Sequence, residues 1–264
     1  MSEPPIGVIA GLGQYPVLLC QKLRRCGVPV AVAGIAGHAS SSDFPQCSFG
    51  EFKLGQVGAA SAFLTDVGAS NAIMAGAVSW HWGRRFLKPD WALLLALPLM
   101  LINGDDWKLR YIANLFEKRG VSIVSAAPWI HTWFAQSDDV FGPVPNDATA
   151  RLIERGLREC RSFVQDDRGQ AITVFGERGV KYESRRGTND LLARTPGVGA
   201  VLIKMKKAAQ DMRFDIPTVG PDTVWMAHRK RIGAIAVEAG AVLIIEKNEV
   251  AKLCRELNVS FVAV

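Results

Sequence analysis

The sequence predicts an α/β protein of two domains, an N-terminal parallel-sheet α/β domain and a C-terminal mixed α/β domain. Three observations carry this expectation. In the first half, short apolar runs alternate with amphipathic stretches in the order β-loop-α-β, the unit of a parallel sheet. In the second half, two extended runs flank Gly176-Glu177-Arg178-Gly179, which marks an antiparallel hairpin. Between the halves, residues 135–148 (AQSDDVFGPVPNDA) are polar, contain prolines and have no period, as linkers do. The expected division is therefore an N-terminal domain at 1–134, a linker at 135–148 and a C-terminal domain at 149–264.

The elements follow in order. IGVIAGLGQYP (6–16) is a strand ending at Gly11 and Gly13, and VLLCQKLRRCG is a helix stopped by Gly27. VPVAVAGIAG is the next strand, GQVGAASAFLTDVGAS a helix and NAIMAGAV a strand. WALLLALPLMLIN (91–103) is strongly apolar, but Pro98 interrupts it, and it is shorter than the roughly twenty residues a bilayer span needs. A buried helix is expected there, with a lipid-touching surface as the alternative. GDDWKLRYIANLFEKRG is a helix with Asp105 and Asp106 at its start and Gly120 at its end, and VSIVSAAPWI closes the half as a strand. After the linker come the helix ATARLIERGLRECRSFVQ, the hairpin, the helical TNDLLART and the strand AVLIKMKK. The chain ends with PDTVWMAHRKRIG (helix), AIAVEAG and AVLIIEK (strands), NEVAKLCRELN (helix) and VSFVAV (strand).

Composition narrows the function classes. At 264 residues and 49% hydrophobic content the chain can bury substantial cores. Its net charge of +6 suits either a solvated basic surface or an anionic partner. The basic residues occur in twos and threes, too dispersed for a nucleic-acid arm, so no nucleic-acid partner is expected. The five cysteines are irregularly spaced without a CxxC pair, which argues against a zinc ribbon or disulfide framework and for reduced thiols. The N-terminus has no secretory signal pattern, so a cytoplasmic location is expected.

Several segments are candidates for chemistry. AGLGQYP gives G-x-G after a strand, but Pro16 stands at the third glycine position of a dinucleotide fingerprint, so a nicotinamide or flavin is not expected. Gly11 and Gly13 remain open as an anion cradle at a helix start or as a tight turn. Asp105 and Asp106 either serve the helix dipole or hold a divalent metal or sugar hydroxyl. Glu183, Thr188, Asn189 and Asp190 surround Gly187, as turn residues or as ligand-orienting groups. The four histidines are scattered and suggest no zinc site.

The densest segment is KKAAQDMRFDIPTVGPDTV (206–224). Pro217 and Pro221 forbid one continuous helix. In an extended strand, Asp211, Arg213 and Asp215 would share a face. Two carboxylates beside a guanidinium suit a divalent metal with a phosphate next to it, and the alternative is a surface ion pair.

These motifs together resemble the family of UDP-2,3-diacylglucosamine pyrophosphatases of lipid A biosynthesis. The resemblance runs through GVIAGLGQYP, GQVG, NGDDWKLR, GQAITV, GTND, IKMKKAAQDMRFDIPTVGPDTV and AIAVEAGAVLI, and so covers essentially the whole chain. It implies two domains with substrate between them, Mg2+ or another divalent cation, and hydrolysis of UDP-2,3-diacylglucosamine to UMP and 2,3-diacylglucosamine 1-phosphate. It implies Asp211, Arg213 and Asp215 as catalytic residues, with Asp211 and Asp215 as metal ligands; Asp190, one position past the family's loop acid, is expected to substitute for it as a ligand, with Glu183 as the alternative. Substrate binding is expected at Gly11, Gly13, Asp105, Asp106, Gln170, Thr188, Asn189, Gln210 and Thr218, with Arg213 and a lysine, Lys204 or Lys206, on phosphate oxygens. The partner implied is a UDP-linked acylated sugar, with peripheral contact to the cytoplasmic face of the inner membrane and a homodimer as further expectations. The family loop usually reads Glu-Gly-Thr-Asp, whereas here it is Arg186-Gly187-Thr188-Asn189, and the usual Pro-Gly before the glutamine is Ala208-Ala209. These departures motivate a second reading, a relative that binds a nucleotide-sugar or phospholipid without hydrolysing it.

Overall fold

The structure, a computed structural model, describes residues 3–78, 90–102, 105–166, 168–184 and 186–264. Its contacts divide the chain into two units, Met1–Ile130 with Asp211–Asp215, and His131–Gln210 with Ile216–Val264.

The first unit holds β1 (Ile6–Ala10), α1 (Tyr15–Arg25), β2 (Val30–Ile35), β3 (Ser48–Phe52), α2 (Val57–Asp66) and β4 (Asn71–Ala75). It continues with α3 (Trp91–Ile102), α4 (Asp105–Glu117), β5 (Ser122–Ile123) and α5 (Ala127–Ile130). All five strands are parallel, in the order β3-β2-β1-β4-β5. The near-continuous apolar runs of β1 and β2 explain this, because strands covered on both faces need no polar alternation. β3 was not visible in the sequence. It is an edge strand, and its Ser-Phe-Gly-Glu-Phe composition resembles a loop.

Strand order reverses about β1, with β2 on one side and β4 on the other, the arrangement that opens a crevice at the carboxyl ends of neighbouring strands. Here the two strand tips are tied together. Gly11 N donates to Ala75 O (2.8 Å), Leu12 N to Ala77 O (2.7 Å) and Ala77 N to Leu12 O (3.0 Å). A Cβ on Gly11 would lie 2.5 Å from Ala77 O, so the close approach of the two loops requires glycine there.

The apolar helix expected to be buried is only partly so. Leu93 and Ala96 of α3 are buried, whereas Trp91 is 73% exposed and Leu95 67%, with Leu94 and Leu99 also exposed. Among the described residues, no helix is long and apolar enough to cross a membrane.

The second unit contains β6 (Val140–Phe141), α6 (Asp147–Gln165), β7 (Ala171–Phe175), β8 (Gly179–Tyr182), α7 (Gly187–Arg194) and β9 (Val201–Lys204). After these come β10 (Thr218–Val219), α8 (Pro221–Arg229), β11 (Ala234–Val237), β12 (Leu243–Ile244), α9 (Lys247–Glu256) and β13 (Ser260–Ala263). The main sheet runs β6-β13-β11-β9-β7-β8, and β10 and β12 form a separate parallel pair. β9, β11 and β13 are parallel, whereas β6, β7 and β8 pair antiparallel. The hairpin read from the sequence is β7–β8.

Strand alternation sorts the core. Val201 and Ile203 of β9 pack with Ile153, Cys160 and Phe163 of α6 on one face. Leu202 packs on the other, with Leu191 of α7, Val224 of α8 and Val250 of α9. Lys204 follows at the same parity as Leu202, which sends its side chain to the α7 side. α6 starts cleanly because the Asn146 side chain accepts from Thr149 N at 2.9 Å.

Replacing Gly11 by Ala should destabilise the protein by about 1–3 kcal/mol through this overpacking. Urea unfolding followed by circular dichroism reads the change, and an unaltered midpoint would show that the β1 and β4 tips separate without cost.

Candidate functional site

Sheet register gathers a polar cluster at the carboxyl end of β9 in the second unit. Lys204 pairs with Val237 of β11 on one side and Ala171 of β7 on the other. Because β11 is parallel and β7 antiparallel, the residue after β11 and the residue before β7 arrive at the same edge. Glu238 N donates to Lys204 O (3.0 Å) and Met205 N to Gln170 O (2.9 Å). Glu183, just past β8, joins them through its own N–H to Ala171 O (2.9 Å).

The side chains interlock. Lys204 is 5% exposed, and its Nζ donates to Thr188 Oγ1 (3.1 Å) and Thr218 O (2.8 Å). Thr188 Oγ1 donates to Glu183 Oε1 at 2.7 Å, and Gln170 N donates to Glu183 Oε2 at 2.9 Å. Gln210 Nε2 donates to Gln170 Oε1 at 3.2 Å, while Gln210 Oε1 accepts from Lys207 N at 3.0 Å. On the far side of β9, Glu238 Oε2 accepts from Lys206 N at 2.8 Å. Beneath the cluster, burial pushes the Cys160 thiol up to about 12, helped by the negative charges of Glu183 and Glu238. All five cysteines are free.

Five of the residues expected to bind substrate, Gln170, Thr188, Lys204, Gln210 and Thr218, thus meet in one hydrogen-bonded network, though they span a long stretch of sequence. Asn189 is exposed on the first turn of α7, outside that network's bonds. Glu238 was not among the expected site residues, whereas Glu183 was read as either a turn residue or a ligand-orienting group. The signal for Glu238 was an acid directly after the apolar run Ala-Ile-Ala-Val, at a strand's carboxyl end. For Glu183 the signal was the cluster of hydrogen-bonding residues around Gly187.

Asp211–Asp215 is a second cluster, grouped with the first unit, although Gln210 and Ile216 belong to the second. The extended strand expected here is instead a turn. Phe214 N (3.1 Å) and Asp215 N (3.2 Å) both donate to Asp211 O. The cause is local, because the Asp211 carboxylate accepts from the backbone N of Arg213 and draws the chain into an aspartate turn. Asp211 and Arg213 therefore meet through the turn, not through strand alternation. Arg213 Nε and Nη2 donate to the two carboxylate oxygens at 3.1 and 2.9 Å, a two-point pair. Arg213 also lies 3.7 Å from Glu117 Oε1, and its guanidinium sits 4.6 Å over the Phe214 ring, which packs on the first unit's core.

The Arg213 side chain bonded to Asp211 holds that carboxyl below the usual 3.8, with the Arg213 backbone N–H and the charges of Arg213 and Arg110 acting the same way against burial. Asp190, in the second unit, is lowered first by its hydrogen bond from Arg194, an i,i+4 pair at 2.7 Å. Among the described residues, no group of three or more His, Cys, Asp or Glu stands ready to cage a metal ion. Mg2+ does not need such a cage. It keeps several waters and takes one or two carboxylates plus phosphate oxygens. Asp211, ionised and partly exposed, fits that requirement.

In the first unit, Gly13 has φ +99 with nothing within 4 Å of a Cβ position, so the loop before α1 stays open there. Gly11 serves the loop pairing described above. Asp105 and Asp106 open α4, and their side chains lie outside the described residues.

Residues 5–133 match the LpxI N-terminal domain and residues 138–262 the LpxI C-terminal domain. The chain belongs to the LpxI family. A relative from Caulobacter vibrioides, named UDP-2,3-diacylglucosamine pyrophosphatase LpxI, is 27% identical over 96% of this chain and 95% of its own. The LpxI match includes the β9 cluster, the Asp211 turn and the altered Arg186–Asn189 loop alike.

The depressed Asp211 carboxyl has a stability consequence. A lowered folded-state value stabilises the fold above the unfolded value near 3.8 and is lost as pH falls through the lower folded one. The pair is partly exposed, so Arg213→Leu should cost under about 1 kcal/mol at pH 7. Chemical denaturation should show the wild-type advantage shrinking below about pH 4; a pH-independent difference would mean the arginine acts through packing alone.

Proposed function

We propose that this LpxI-family chain hydrolyses the pyrophosphate of UDP-2,3-diacylglucosamine to UMP and 2,3-diacylglucosamine 1-phosphate, with Mg2+ or another divalent cation. The observation that carries the reading is the buried Lys204 ammonium, held by Thr188 and Thr218 at the carboxyl end of β9, where α/β sheets bind ligands. A preorganised cation in a largely dry setting stabilises charge that develops on phosphate oxygens. The relative's name supplies the substrate class.

Asp211 and Asp215 would hold the cation, whose part is to polarise a phosphoryl group and activate water. Asp190 would have to exchange its bonds from Arg194 and Ser184 to serve, as Asp211 would those from Arg213. Arg213 would turn from Asp211 to phosphate oxygens, for which its planar fork is suited.

The exposed face of α3 supports a peripheral membrane contact. Trp91, Leu95 and Leu99 recur at helical spacing on the solvent side, while Leu93 and Ala96 anchor the helix inward. The chain's excess of basic over acidic residues, 31 against 25, favours an anionic lipid surface.

Purified protein incubated with UDP-2,3-diacylglucosamine and Mg2+ should release UMP, and EDTA should stop it. Asp211→Asn should retain the circular dichroism of the wild type and lose about a hundredfold or more in kcat. Full activity in that variant would remove Asp211 from the site, and tight binding without UMP release would favour the non-hydrolytic reading. In vesicle sedimentation, Trp91→Ser with Leu95→Ser should weaken binding to anionic phosphatidylglycerol vesicles; equal binding by wild type and variant would exclude α3 as the contact.

A further inference from the structure

Thr188 stands between two groups whose hydrogen-bonding roles are fixed. An ionised carboxylate only accepts, an ammonium only donates, and a threonine hydroxyl has one proton to give. Thr188 gives that proton to Glu183 Oε1 at 2.7 Å and receives one from Lys204 Nζ at 3.1 Å. The other Glu183 oxygen is held by Gln170 N at 2.9 Å, so the carboxylate is pinned at both ends. Glu183 is 9% exposed and Lys204 5%, so water contributes little to either. The bonds described above hold Glu183 to a hydroxyl and a backbone amide. The Glu183 negative charge reaches Lys204 through the Thr188 hydroxyl.

We propose that Glu183 is a positioning residue for Lys204. By taking the Thr188 proton, it turns the hydroxyl lone pair toward Lys204 and so sets the direction of the ammonium. Without the carboxylate, the Thr188 proton is free to rotate toward Lys204, where donor would face donor, and the ammonium would swing away. This rests on the reading of Lys204 as the group that meets substrate phosphate. It adds a residue that does not touch the substrate, and it gives a reason for an acid buried beside an anion-binding lysine.

A double-mutant cycle tests whether Glu183 acts through Thr188. Glu183→Gln and Thr188→Val should each lower kcat/KM for UMP release roughly tenfold or more, as expected for a broken buried hydrogen bond to a charged group. The double variant should be no worse than the worse single one. Additive losses would overturn the proposal, because Glu183 would then act independently of the hydroxyl.

A second measurement needs no turnover. Brief acetylation of the folded protein with acetic anhydride, read by peptide mass spectrometry, should label Lys204 several-fold faster in both single variants, with other lysines unchanged. Unchanged Lys204 labelling in Thr188→Val overturns the proposal even if Glu183→Gln does not fold. If the wild type releases no UMP, the proposed activity fails while the labelling result still decides the role of Glu183.

Discussion

A lysine ammonium almost wholly removed from water governs the architecture of the second unit's polar edge. Burying that charge is costly unless hydrogen-bonding groups replace its hydration. Lys204 meets the requirement with a threonine hydroxyl from α7 and a backbone carbonyl from β10. Those contacts in turn need Thr188 to be held by Glu183, Glu183 by Gln170 N, and the Gln170 side chain by Gln210. One buried charge thus couples β7, the end of β8, α7, β9 and β10. A network of this kind is rigid because each member's loss leaves another unsatisfied.

The second cluster is organised by a different force. Asp211 and Arg213 are partly exposed, and their pairing adds little to stability. What their turn accomplishes is placement. It brings a charged carboxylate and a planar cation side by side, with Phe214 anchoring the segment to the first unit's core. The two clusters therefore differ in kind: one is buried and interlocked, the other is partly exposed.

Much of the fold was legible from local pattern. The parallel β1, β2 and β4 strands, the β7–β8 hairpin and the helices α6 to α9 all follow from apolar periodicity and glycine stops. β3, β6 and β10 were not, because edge strands and two-residue strands carry too few apolar positions to show a period. The α3 expectation failed in degree. Uniform apolarity implies burial on every side, yet among the described residues Trp91, Leu94 and Leu95 are exposed while Leu93 and Ala96 are buried. At Asp211–Asp215, strand alternation was the wrong geometry, since an aspartate side chain can capture a backbone N–H two residues on and close a turn.

Residue order alone carries the kinds of groups present: the acids and arginine of the 211–215 block, the lysine closing an apolar strand, and the altered Arg186–Asn189 loop. These are local facts, written in composition and spacing. Which of them meet was decided by sheet register. The antiparallel entry of β7 beside the parallel β9 and β11 brings Gln170, Lys204 and Glu238 to one edge. Strand parity sends Lys204 toward α7 and Thr188. No sequence spacing encodes that meeting, because it depends on pairings between segments far apart in the chain. For the same reason the choice at Glu183 between turn residue and ligand-orienting group stayed open until the fold showed the hydroxyl and the backbone amide that it holds.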